Sequence, residues 1–124
     1  MKKLSLALML VFAFAFSQAQ KIEVSKGSVT VDGQPCLTVD KSDLNNLAIK
    51  DLSGNDIVYL KFLRDPLNQL YNVVVFVNSK KSFTSKRFIY NVKTLVKRMI
   101  DDKLLVNCII DETKVDNFVM KHGE

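Results

Sequence analysis

The sequence predicts an α+β fold: an antiparallel β-meander of about five strands, followed by two α-helices packed on one face of the sheet. Three features point to it. Short β-branched segments separated by turn clusters run from Ile22 to Val77, apolar residues at helical spacing take over from Thr84, and the first nineteen residues form an apolar leader that stands apart from the rest.

The leader reads as a cleavable signal peptide over residues 1–19. Lys2 and Lys3 precede eleven apolar residues, Leu6 to Phe16, which end at Ser17, Gln18 and Ala19. A charged start, a short apolar run and small residues at the cut are the three parts of such a segment, and a membrane span needs about twenty apolar residues. Cleavage after Ala19 leaves 105 residues, 20–124, as one small α+β domain. No Cys stands at the cut to be acylated, and the longest later apolar run is the five residues Val73 to Val77. The expected product is exported, periplasmic or secreted, with no membrane span.

The elements follow in order. Ile22 to Val24 and Ser28 to Val31 are short and β-branched, and Asp32, Gly33, Gln34 and Pro35 form a turn cluster before Cys36 to Val39. A polar connector with Asn45 and Asn46 leads to Leu47 to Lys50, and Ser53, Gly54 and Asn55 turn the chain into Ile57 to Leu63. Asp65 to Asn68 make the next turn, because Pro66 presets its own backbone angle and offers no N–H to a ladder. Tyr71 to Val77 is apolar on both alternation phases, which predicts a central strand covered on both faces by helices on one side and a curled sheet, second layer or partner chain on the other.

From Thr84, Phe88, Val92, Leu95, Val96 and Met99 share one helical stripe, with Thr84 as N-cap and Phe83 and Phe88 as a hydrophobic staple. Asp111, flanked by Ile110 and Val115, starts a second helix that turns Val115, Phe118 and Val119 inward and ends at Gly123 in a left-handed cap. Leu104 to Ile110 reads equally as a buried connector or a further strand.

Composition narrows the function. Without the leader, 16 basic residues face 13 acidic ones, a mild excess that does not call for nucleic acid. Cys36 and Cys108 are either a disulfide, which an oxidising compartment permits, or two separate buried thiols. His122, the sole histidine, sits next to the C-terminus, a poor scaffold for Ser-His-Asp or Cys-His chemistry, and too few ligand-type residues accompany it for zinc. The four glycines spell no phosphate-binding loop. No catalytic, metal or cofactor-binding residues are therefore assigned.

Two carboxylates suffice for glycoside hydrolysis, and Asp40 with Asp43, Asp101 with Asp102, and Asp111, Glu112 and Asp116 are the groups available. Connector, helix-end and helix-start roles explain each of them, and no Trp is present as a sugar platform. Residues 80–98 hold seven Lys and Arg and no acid. On one continuous helix, Lys86, Tyr90, Lys93 and Lys97 would form a ridge opposite the apolar stripe, suited to an acidic glycan, lipid head group or acidic protein. The functional expectation is a non-enzymatic binding or interaction module of the bacterial envelope or exterior, monomeric or dimeric through its sheet. Anion binding by that ridge is the first alternative and a carboxylate-based hydrolase the second.

Overall fold

Seven strands pair in sequence order, each antiparallel to the next: β1 (Ile22–Ser25), β2 (Ser28–Val31), β3 (Gln34–Asp43), β4 (Asn46–Lys50), β5 (Asp56–Arg64), β6 (Leu70–Phe76) and β7 (Lys81–Ser85). Helix α1 (Val92–Asp101), a small hairpin of β8 (Leu105–Val106) and β9 (Ile109–Ile110), a 3-10 turn (Glu112–Lys114) and helix α2 (Val115–His122) follow. The computed structural model describes residues 20–123, so the expected leader lies outside the described residues. The fold is α+β with a meander, as expected, but the sheet has seven strands rather than about five.

Turn chemistry fixes the first three strands. The β1–β2 and β2–β3 hairpins each have two-residue turns, Lys26-Gly27 and Asp32-Gly33, with positive φ at both positions. That is the turn whose twist matches paired strands, and glycine adopts it without steric cost. β3 opens at Gln34, so Gln34 and Pro35 belong to the strand rather than the turn. The register then shifts, with Val29 opposite Leu37 and Thr30 opposite Pro35. Cys36 is the extra residue of this bulge, and both Cys36 and Leu37 are buried.

β7 is the strand that periodicity misassigned. Thr84 does not cap a helix. It lies opposite Val73 on β7, while Phe83 and Ser85 on the alternate phase are buried. Helix α1 starts at Val92 behind Asn91, whose side chain accepts the Thr94 N–H at 2.8 Å, while Thr94 Oγ1 accepts the Asn91 N–H at 2.9 Å. This reciprocal pair satisfies two first-turn donors that Thr84 cannot reach. Phe88 is consequently outside the helix and exposed.

The core lies between one face of the sheet and the helices. Val92, Leu95, Val96 and Met99 of α1 and Val115 and Phe118 of α2 pack with Val58, Leu60, Val74, Phe76 and Phe83. α1 lies against β1 and α2 against β7. On β6, Asn72, Val74 and Phe76 are buried, but Tyr71, Val73 and Val75 are only half-buried and take no part in the core. Among the described residues, neither a curled sheet nor a second layer covers that second face of the strand. β6 is also one strand in from the β7 edge rather than central.

Leu104 to Ile110 resolves into the β8–β9 hairpin, turned at Asn107 and Cys108, both with positive φ. Cys36 and Cys108 form a disulfide that pins this hairpin to β3 across 72 residues of chain. The second helix begins as expected, with Asp111 accepting the Thr113 N–H at 3.1 Å and a 3-10 turn running into α2. Its end differs from expectation. Gly123 has φ −75°, extended rather than left-handed, and its N–H donates to Val119 O at 2.9 Å. A Cβ there would lie 2.7 Å from that oxygen, so close approach rather than handedness is what requires glycine. No helix among the described residues is long and apolar enough to cross a membrane.

Candidate functional site

The face of the sheet turned away from the helices has two halves, set by strict alternation along paired strands. In register across the sheet, Asp40 lies opposite Ala48, Ala48 opposite Tyr59, and Tyr59 opposite Val75. A second row runs from Asn46 through Lys61 and Val73 to Thr84, and Leu63 opposite Tyr71 extends the face toward the β5–β6 turn. Over β3 to β5 the residues are Asp40, Asn46 and Lys61 around Ala48. Over β5 and β6 they are the half-buried Tyr59, Tyr71, Val73 and Val75 and the exposed Leu63.

The polar half encloses a cavity of about 360 Å³, lined by Asp40, Asn46, Lys50, Asp56, Tyr59 and Lys61 among others. Lys50 Nζ lies 3.5 Å from Asp40 and 3.7 Å from Asp56, and the Tyr59 hydroxyl donates to Asp56 Oδ2 at 2.9 Å. That hydrogen bond, with burial and the Asp56 charge behind it, raises the Tyr59 pKa above the ordinary tyrosine value, while Lys50 opposes the shift. The other Asp56 oxygen is buried without a hydrogen bond among the described residues. The phenol thus stays a proton donor, and Lys50 holds the two carboxylates by charge. This is a structured polar surface with an apolar strip beside it.

The residues singled out from sequence are dispersed. Of Lys86, Tyr90, Lys93 and Lys97, only Lys93 and Lys97 are on α1. Lys86 and Tyr90 precede it, and Tyr90 is buried, its backbone N–H donating to Asn72 Oδ1. The ridge does not exist as a helix face, because the helix starts seven residues later than the periodicity implied. Lys97 is paired with Asp101 at 2.9 Å.

The carboxylates also separate. Asp40 belongs to the sheet cavity. Asp43 accepts from Asn45 and Asn46 in the β3–β4 turn, with the Asn46 side chain foremost in lowering its pKa. Asp101 and Asp102 line a different cleft, beside the helices. Asp111 caps the 3-10 turn, and Asp116 pairs with Lys81 at 3.3 Å. Glu112 opens that turn.

His122 is held more firmly than its place in the sequence implied. Its side chain is 5 % exposed, its Nε2 lies 2.5 Å from Asp102 Oδ2, and its ring is 4.4 Å from that of Phe118. Among the described residues no group of three or more His, Cys, Asp or Glu side chains is placed to hold a metal ion.

The sequence reading overlooked Lys50, Asp56, Tyr59 and Lys61. Their signal was present in β5, where Asp56, Tyr59 and Lys61 interrupt Val58 and Leu60, but only the strand register shows that they meet Asp40 and Lys50 on one face. Comparison with known proteins finds no matching family model, no similar curated sequence and no similar solved structure.

Proposed function

We propose that this chain is a non-enzymatic binding module of the bacterial envelope or exterior, and that it works through the face of the sheet the helices leave uncovered. The observation that carries the reading is the strip formed by Tyr71, Val73 and Val75 on β6 with Tyr59 on β5, half-buried and outside the core. A sheet face that only meets water alternates toward polar residues, so valines there are placed to be covered by a partner. The adjoining half carries both signs of charge, Asp40 and Asp56 beside Lys50 and Lys61, which suits a protein partner of mixed charge and is compatible with a second copy of the same chain.

The Cys36–Cys108 disulfide is compatible with an oxidising compartment outside the cytosol. The carboxylates lend little support to a hydrolase, since Asp40, Asp101 and Asp102 each face a cation.

The test is the oligomeric state and the contacts of the protein in its native envelope fraction. Sedimentation of the purified protein and chemical cross-linking in place are expected to give a dimer or a discrete complex, lost in the double variant Val73→Lys, Val75→Lys. A wild-type chain that sediments as a monomer at high micromolar concentration and forms no cross-linked species in its envelope overturns the proposal.

A further inference from the structure

The helices frame a second cavity of about 400 Å³, away from the sheet face, within the range of small-molecule sites. Phe88 forms one wall, Lys97 and Arg98 of α1 another, and Lys121 and His122 of α2 close it. The charges inside are not evenly matched. Lys97 pairs with Asp101 at 2.9 Å, and Lys121 pairs with Asp102 at 2.9 Å, with His122 on the other oxygen of that carboxylate. The two acids one turn along from Arg98 are thus already answered by other cations. Among the described residues the Arg98 side chain has no ion pair and no hydrogen bond.

What Arg98 does have is aromatic contact. Its guanidinium carbon lies 5.3 Å from the centre of the Phe88 ring and 5.8 Å from that of Tyr90. These contacts restrain the planar group without using its five N–H donors, which stay in the geometry that binds a carboxylate through two parallel hydrogen bonds. Phe88 is 42 % exposed, a large apolar surface on the rim of a cationic cleft.

We propose that this cleft binds a small organic monocarboxylate, with Arg98 taking the carboxylate through its guanidinium fork and Phe88 covering the apolar body attached to it. Arg98 is the one cation lining the cleft with no carboxylate partner among the described residues, and one such cation matches a monoanion. A dianion such as phosphate would bring its second charge toward Asp101 and Asp102, and it offers nothing to the Phe88 ring. The inference is independent of the sheet-face reading and uses none of its residues.

Benzoate is the probe. Titrated into the uniformly ¹⁵N-labelled protein, it is expected to shift the amide signals around Phe88, Arg98 and His122, while benzyl alcohol, which carries the same ring but no charge, and inorganic phosphate do so at least about tenfold more weakly. Arg98→Gln should weaken benzoate binding by about tenfold or more, Arg98→Lys by a smaller factor because an ammonium cannot form the fork, and Phe88→Ala should weaken benzoate while leaving acetate unchanged. Lys93→Gln, outside the cleft, should have no effect. The dispersed amide spectrum of each variant reports whether it is folded. Benzoate binding that survives Arg98→Gln in a folded variant, equal binding of benzyl alcohol or phosphate, or no shift at all overturns the proposal.

Discussion

The side-chain carbonyl of Asn72, wholly buried in β6, accepts the backbone N–H of Tyr90 from the segment that leads into α1, while its amide donates to the Lys61 carbonyl at 3.2 Å. One polar side chain in the core thus joins β5, β6 and the start of the helical half. Ser85 assists from β7, donating its hydroxyl to Phe88 O at 2.5 Å. Asn72→Leu keeps the branched outline of four heavy atoms, in a somewhat larger volume, but leaves a buried N–H without an acceptor and a carbonyl without that donor. The expected loss is about 3 kcal/mol, because each unsatisfied buried group costs roughly 1 to 3. Urea denaturation measures it, and a loss under about 1 kcal/mol would mean that water or a rearranged loop takes over both bonds.

The start of α1 gives a second prediction, and it bears on how far the sequence could be read. Asn91→Ala should cost about 1 kcal/mol, while Thr84→Val should be neutral or slightly stabilising, since Thr84 occupies a strand and caps nothing. Measured together by thermal unfolding, the reverse order would restore the earlier helix start. The apolar stripe of Val92, Leu95, Val96 and Met99 was legible because all four positions are buried. Phe88 fitted the same spacing by coincidence, and that single residue drew the helix back over β7. The early hairpins were legible because their turns carry the residues that positive φ demands. The sheet cavity was not legible, because Asp40, Lys50, Asp56 and Tyr59 come from three strands and meet only through register.

The disulfide yields a graded prediction. The double variant Cys36→Ala, Cys108→Ala should lose between about 2 and 5 kcal/mol, since the bond closes a loop spanning 72 residues. Cys108 has φ +65°, a left-handed conformation that side chains other than glycine adopt at a cost of roughly 1 to 2 kcal/mol. Replacing Cys108 by Gly instead of Ala should therefore recover about 1 kcal/mol. Equal stability of the two double variants would show that the turn relaxes once the bond is gone.

Acid should weaken the contact between the helices. Burial of Asp102 acts to raise its pKa, but the hydrogen bonds from His122 and Lys121, with their charges, outweigh it and hold the carboxyl below its ordinary value near 3.8. A carboxylate whose folded pKa is lowered stabilises the fold above its unfolded pKa, and that contribution is lost as pH falls through the folded pKa. The stability gap between the wild type and Asp102→Asn should accordingly close as pH falls below the ordinary carboxylate value. Denaturation midpoints at stepped pH read this directly, and a gap that widened on acidification would contradict it.

The last prediction separates the two faces of β6, neighbouring residues of one strand with opposite roles. Val74 is 0 % exposed and packs with Leu60 and Phe83, so Val74→Ala should cost about 2 kcal/mol or more, two methyl groups of lost burial and a cavity no neighbour can fill. Val75, one residue on, lies between Tyr59 and Ser82 on the uncovered face, so Val75→Lys should cost the isolated chain under about 1 kcal/mol. If a second copy covers that face, the wild-type melting temperature must rise with protein concentration, because association stabilises only the folded form. Val75→Lys should abolish that rise while changing the melting temperature at the lowest concentration only slightly. A large loss of stability in Val75→Lys at high dilution would place Val75 in the chain's own core, and the half-exposed strip could then no longer be read as a surface kept for a partner.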